Sequence, residues 1–412
     1  SLAAPPSPRR PSVPRRKRAT EPAPLPRPAR PGWLARWFGP NRPRPALLGR
    51  PPRPDGDDTP FTPEAYPGLS AEACAILNTP VEKCDPDILR LLLSALAVPG
   101  FAQDSGLVVY NAQHEALTQE WADGFTKETG IQITLRNGSD TELGNQLLQE
   151  GAASPADLFL TENSPAQVLV DNAGLFEKLP QDILDEVPAQ FRPSSGNWVG
   201  IAARSTVFAY NPTLLKDADL PKSIMDLADP SWKGRWAASP SGADFQAIVA
   251  AMLSLKGEDA TAAWLKAEKE NSIAYRGNTA AMKGVNAGEV QGAVIYHYYF
   301  FGDKAKTGEN STNVQLHFFK DQDPGAFVST SGGAVLKSSK HKEQALAFLK
   351  WIAGQGGQSV LKTGNSFEYA VGNGAASNPA LPPLDTLEAP AVDPSAFNSQ
   401  KVTDLMTAAG LI

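Results

Sequence analysis

Cysteine is nearly absent: the chain of 412 residues holds two, Cys74 and Cys84, and none from Gln103 onward. That excludes a thiolate metal site and a cysteine nucleophile in everything that follows. The two thiols allow a Cys74–Cys84 disulfide in an oxidising compartment and do no more than allow it. Histidine is scarce as well, four in all, and no second imidazole clusters with the one at His114. A zinc hydrolase built on His114 and Glu162 would lack a ligand such sites usually show. No run reaches the ~18 apolar residues that a membrane-spanning helix needs. Acid is missing from one end: residues 1–53 carry thirteen Arg or Lys and fifteen prolines against the single acid Glu21. The remainder must be clearly acidic for the formal net charge to reach −6. Residues 1–60 therefore read as a basic, proline-rich disordered segment or a misassigned start. A nucleic-acid binder would also use such an arm, but no nucleic-acid partner is expected. Residues 61–105 read as a linker containing "ILRLLLSALAVPGFAQDSG", whose apolar run Leu91–Val98 is followed by Gly100 and Ala102, as before a signal-peptidase site. The same stretch also reads as a short amphipathic helix packed on the fold.

From Leu107 the texture becomes regular. "LVVYN" is a strand. "HEALTQEWADGFTKETG" is a helix, with Leu117, Trp121 and Phe125 on one face and Gly130 as its stop. "IQITLRN" alternates as a strand, "DTELGNQLLQEG" is helical, and "ADLFLT" is again a strand. This βαβαβ order predicts a parallel sheet with helices on its faces. Further on, "VGIAARSTVFAYN", "RWAAS" and "GAVIYHYY" read as strands and "PSGADFQAIVAAMLSLKG" as a turn and helix. The chain then closes through "GAFVSTSGGAVL" and the helical "SKHKEQALAFLKWIAG". There is no tandem repeat. Two α/β lobes joined by crossing strands fit this order.

Open α/β sheets bind ligands beyond the carboxyl ends of their strands. His114 follows the first strand, Glu162 follows "ADLFLT", and Tyr298 and Tyr299 end "GAVIYHYY". One imidazole, one carboxylate and two phenols make an unusual set. A free phenol titrates near ~10, so its use as phenolate at neutral pH calls for a strong Lewis acid. Zinc prefers His and Cys, and calcium and magnesium prefer carboxylates and carbonyls. A hard trivalent cation, above all Fe³⁺, suits phenolate oxygen, and one Glu with two tyrosinates balances its charge. Four protein ligands leave two octahedral positions for water or an anion. "SPSGADFQAIV" places Ser241, Gly242 and Ala243 at a helix N-terminus, where backbone N–H groups and the helix dipole favour an anion. Asn278, ahead of another helix, can add its amide.

The motifs "VVYNAQHE", "SPADLFLTEN", "ARSTVFAYN", "WKGRWAASPSGADFQ" and "IYHYYFF" resemble those of the periplasmic ferric-ion-binding proteins of bacterial iron ABC transporters, counterparts of transferrin. The resemblance covers Leu107 to Ile412. It implies a two-lobed type II periplasmic binding protein fold with crossing hinge strands, lobe 1 holding residues 106–207 and 330–412 and lobe 2 residues 208–329. It implies His114, Glu162, Tyr298 and Tyr299 as ferric ligands, and Ser241, Gly242, Ala243 and Asn278 as the seat of a synergistic phosphate or carbonate. Where some relatives carry Asn two residues before the tyrosine pair, this chain has Tyr296. A monomeric, periplasmic, non-enzymatic carrier that hands iron to a membrane permease is the expectation. The rival within the class is a carrier of another solute, such as an organic anion stacked on the tyrosines with Arg204 as its clamp.

Overall fold

The structure is a computed structural model that describes residues 106–412. The basic segment 1–60, the linker 61–105 with its signal-like stretch, and Cys74 and Cys84 lie outside the described residues. β1 (Leu107–Asn111), α1 (Glu115–Thr129), β2 (Ile133–Asn137), α2 (Asp140–Glu150) and β3 (Leu158–Leu160) form the expected βαβαβ unit. β1 pairs in parallel with both β2 and β3. α1 buries Leu117, Trp121 and Phe125, and Gly130 closes it in the left-handed conformation at φ 79°, where an L side chain would be strained. α3 (Ser164–Asn172) and the short α4 (Gln181–Leu184) follow.

β4 (Val199–Tyr210) organises what comes next, because all twelve of its residues are buried. Its first part, Val199 to Ser205, pairs antiparallel with β9 (Val328–Val335), which continues to β3. From Thr206 to Tyr210 it pairs instead with β7 (Gly292–Tyr296). β7 leads in parallel to β5 (Trp236–Ala238), and β5 to β6 (Ser272–Ala274). β8 (Gln315–His317) pairs with the far end of β4. The strand order is thus β2-β1-β3-β9-β4-β7-β5-β6, one sheet with β4 shared between two sets of partners. An apolar run buried on both faces is what a central strand needs. Here it is interrupted only by Arg204, Ser205 and Thr206, at the point where partners change.

Helices cover the sheet: α5 (Ala243–Lys256), α6 (Glu258–Asn271), α7 (Asn278–Ala287), α8 (His297–Lys306), α9 (Lys342–Ala353), α10 (Gln355–Thr363) and α11 (Ser399–Ala408). The core contains Trp121, Trp198, Trp236 and Trp264, all fully buried. Trp121 donates its indole N–H to the Gly357 carbonyl and Trp264 to that of Ile224, each at 2.9 Å, which satisfies the one polar atom each carries inside. α11 buries Val402 and Met406 and packs on α3, α5 and α6. Among the described residues no helix is long and apolar enough to cross a membrane.

Candidate metal centre

The first half of the site is built at the ends of β1 and β3. Asn111 closes β1, and its Oδ1 accepts from the Gln113 N–H at 3.1 Å and the Thr118 hydroxyl at 3.0 Å, which sets His114 at the mouth of α1. His114 Nε2 lies 2.9 Å from Glu162 Oε1, and its Nδ1 lies 2.8 Å from Glu368 Oε1. The turn carrying Glu162 is clamped by Asp140, whose two oxygens accept the Glu162 and Asn163 N–H groups at 2.9 Å each. Beneath both sits Arg204, wholly buried. Its Nη1 donates to the Glu162 carbonyl, and its Nη2 reaches Glu368 Oε2 at 2.8 Å and Gln113 Oε1 at 3.1 Å.

These contacts set the charges. Burial works against an imidazolium at His114, but the Glu368 and Glu162 carboxylates override it and raise its pKa to about 10. Burial would raise Glu162, yet Arg204 and His114 hold it down at about 2. Glu368 is likewise lowered against its burial by Arg204 and His114. Asp140 goes the other way, raised to about 8 by burial and by the neighbouring Glu162 charge. A histidine between two carboxylates holds its proton far above the ordinary range near ~6.5, so competition from protons does not end there.

The second half corrects one reading of the sequence. β7 stops at Tyr296, and Tyr298 and Tyr299 lie in the first turn of α8 rather than at the end of a strand. Successive residues of a strand face opposite ways, whereas on a helix they are about 100° apart. A helical turn therefore lets two adjacent phenols address one cleft, as a regular strand does not. Their rings lie 4.3 Å apart, and the Tyr298 ring meets that of His114 edge-on at 4.7 Å. Tyr298 donates to Glu162 Oε1 at 2.9 Å, and Tyr299 donates to Asp244 Oδ2 at 3.1 Å. Burial first, then the charges of Asp244 and Glu162, push both phenols well above the usual tyrosine range. Only a strongly charged partner can take their protons at neutral pH.

Asp244 is the group that the sequence pattern did not single out. It sits in the first turn of α5, immediately after Ser241, Gly242 and Ala243, and is buried. Its carboxylate accepts from the Asn278 amide at 2.7 Å, the Asn163 amide at 3.0 Å and the Tyr299 hydroxyl, and lies 3.4 Å from the Tyr298 hydroxyl. Burial and Glu162 raise its pKa to about 6. Two of the four residues expected at an anion site are thereby engaged within the protein. The Gly242 N–H donates to the Ser239 carbonyl at 3.0 Å, and Asn278 is turned to Asp244. Ser241 is exposed and Ala243 opens α5. Tyr296 is fully buried, its hydroxyl donating to Asn163 Oδ1 at 3.2 Å and lying 3.3 Å from the Asp244 carbonyl. A cavity of about 470 Å³ lined by His114, Tyr298, Tyr299, Glu120 and Lys306 leads to these donors. A larger one, about 600 Å³ between Phe191, Phe327, Leu384 and Val392, contains none of them.

Among the described residues no group of three or more His, Cys, Asp or Glu side chains is arranged to hold a metal. A cation here must draw on the phenols, and a donor set of anionic oxygens with one imidazole fits a hard, highly charged ion. A sheet whose central strand is shared between two sets of partners, with convergent polar groups where it crosses, defines a solute-binding protein. The sequence profile of the bacterial extracellular solute-binding proteins matches residues 153–393. The chain belongs to that family and, within it, to the periplasmic ferric-ion-binding proteins. It is similar to the Fe(3+)-binding periplasmic protein of Serratia marcescens, 66% identical over 321 residues that make up 78% of this chain and 95% of the relative. It is similar to the major ferric iron-binding protein of Neisseria meningitidis serogroup B, 36% identical over 78% of this chain and 97% of the relative. Among solved structures, iron-bound HitA from Pseudomonas aeruginosa superposes with a TM-score of 0.70 at 40% identity, over 74% of this chain and 99% of HitA.

Proposed function

We propose that this protein is the periplasmic, non-enzymatic binding component of an iron ABC transporter, taking Fe³⁺ through His114 Nε2, Glu162, Tyr298 and Tyr299 and handing it to a membrane permease. The observation that carries the reading is the convergence of two phenol hydroxyls and one imidazole on the Glu162 and Asp244 carboxylates. Relatives of the chain are ferric carriers, not enzymes. Residues 106–207 with 330–412 and residues 208–329 act as two lobes that close on the metal about the shared strand. Closure brings His114 and Glu162 to the tyrosines, and the monomer suffices for the task.

For the remaining coordination the geometry favours Asp244 over an exogenous anion. Glu162 and two phenolates already balance three positive charges, and Asp244 adds a carboxylate where the phenols converge. Phosphate or carbonate seated on Ser241, Gly242, Ala243 and Asn278 is the second reading, favoured by the α5 N-terminus. The organic-anion reading loses its clamp, because the Arg204 charge is committed to Glu368. One titration tests the first two: ferric iron is added to the protein with and without phosphate or carbonate while visible absorbance is followed. A phenolate-to-iron band that saturates at one iron per chain, equally with and without anion, is the expected result. Iron uptake without colour would sink the tyrosine assignment, and a band that requires anion would move the last positions from Asp244 to the anion.

A further inference from the structure

We propose that Glu368 is a positioning residue for ferric binding: it fixes the His114 ring so that Nε2 faces the metal, and Arg204 in turn fixes Glu368. The inference rests on the ferric reading above. An imidazole offers two nitrogens, and a metal takes whichever the second hydrogen bond leaves free. In this chain Nδ1 faces the wholly buried Glu368 Oε1 at 2.8 Å and Nε2 faces Glu162 Oε1 at 2.9 Å, so the ring stands with Nε2 on the side of the Glu162 and tyrosine oxygens and Nδ1 on the side of Glu368.

The surroundings of Glu368 are built for this. The residue is wholly buried in an irregular segment after α10, where an unpaired carboxylate would be costly. It is held by Arg204 at 2.8 Å and by the Gln113 amide at 3.1 Å, both on Oε2. A carboxylate kept only to neutralise Arg204 has no reason to turn its other oxygen to His114. The backbone around it is tied down on one side and bent on the other. Tyr369 exchanges two backbone hydrogen bonds with Ala203 of β4, at 2.8 and 3.0 Å, beside Arg204. Phe367 adopts φ 55°, a left-handed conformation uncommon for a bulky residue, and its ring stacks on Phe301 of α8. Strain of that kind persists where the surrounding structure imposes it, and it clusters at functional sites. Arg204 extends the arrangement, since the same guanidinium that holds Glu368 also donates to the carbonyl of Glu162. Two ligands from distant strand ends thus share one buried cation.

The test is a double-mutant cycle on the full chain, with ferric affinity read by competition against nitrilotriacetate and folding read by thermal unfolding. Glu368→Gln is expected to lose about ten- to hundredfold in iron affinity, the usual effect of removing an outer partner of a metal-bound histidine. His114→Ala should lose more, and adding Glu368→Gln to it should cost nothing further, because the carboxylate acts through the ring. In protein loaded with Ga³⁺, a diamagnetic stand-in, imidazole ¹⁵N resonances should report one bound nitrogen and a hydrogen-bonded Nδ1–H at His114, lost from the hydrogen bond in Glu368→Gln. Should Glu368→Gln not fold, Glu368→Asp keeps the charge beside Arg204 and withdraws the carboxylate from His114, and the same cycle is run with it. Losses that multiply in the double variant, or a Glu368 variant that binds iron like the parent, overturn the proposal while the ferric reading stands. A parent protein that takes up no ferric iron at all overturns both.

Discussion

The two halves of the site are held by different forces. His114 and Glu162 rest on a buried lattice of charge, with Arg204 between Glu162 and Glu368 and Asp140 clamping the turn. Tyr298 and Tyr299 rest on α8, which has no side-chain cap, and on one hydrogen bond each, Tyr298 to Glu162 and Tyr299 to Asp244. The first half is braced around fixed charges. The second offers oxygens that would become charged only if a cation drew off their protons. Binding energy is thus separated from scaffolding energy, and the two can be attacked separately.

Proton linkage should show the largest effect. His114, raised to about 10, and both phenols, raised further, all carry protons at neutral pH. Ferric binding must release them, about three per iron, or roughly a thousandfold in affinity per pH unit near pH 7. Affinity should therefore still climb between pH 7 and 9, where an ordinary histidine has finished titrating. The sign for the iron-free fold is opposite. The raised pKa of His114 stabilises the fold fully below about 6.5, and that contribution is lost as pH rises through about 10. Proton release measured in weak buffer decides the matter, and a count of two would mean His114 is already neutral.

Next comes Arg204→Met, which takes the guanidinium from the buried Glu368 and leaves it only His114 and the Gln113 amide; breaking this buried pair should cost about 3–5 kcal/mol of stability in denaturant unfolding. Tyr298→Phe and Tyr299→Phe keep the packed ring and remove the oxygen. Each should weaken iron binding by at least about a hundredfold, beyond what an outer partner usually costs, with thermal unfolding of the iron-free protein little changed. If the Phe variants unfold early and Arg204→Met does not, the division between the halves is wrong. Asn278→Ala should be mildest, since it removes one hydrogen bond to Asp244, worth about 1 kcal/mol or fivefold in iron affinity. A loss as large as that from the Phe variants would place Asn278 on a bound anion instead.

The framework was legible where periodicity is strong. Leu117, Trp121 and Phe125 mark the buried face of α1, and Gly130 ends it where a left-handed residue is required. His114 and Glu162 were readable as residues just past strand ends. The element under Tyr298 and Tyr299 was not, because "GAVIYHYYFF" is apolar and aromatic throughout and α8 begins without a Ser, Thr or Asp cap. Asp244 resembles any acid in a first helical turn, where the dipole alone would justify it. Glu368 belongs to no regular element and reaches His114 across most of the described chain. Local pattern reveals what a residue can do on its own element, and these partners matter only across elements.

β4 changes partners between Ser205 and Thr206, one residue past Arg204. Ser205 alone therefore joins the residue that braces the histidine and carboxylate to the strand section beside the tyrosines. A twist about that residue would carry four donors apart as two intact pairs and would not peel them off singly. Unloading would then pass through one half-coordinated state, the metal resting on a single pair, and not through a ladder of states that lose one donor at a time.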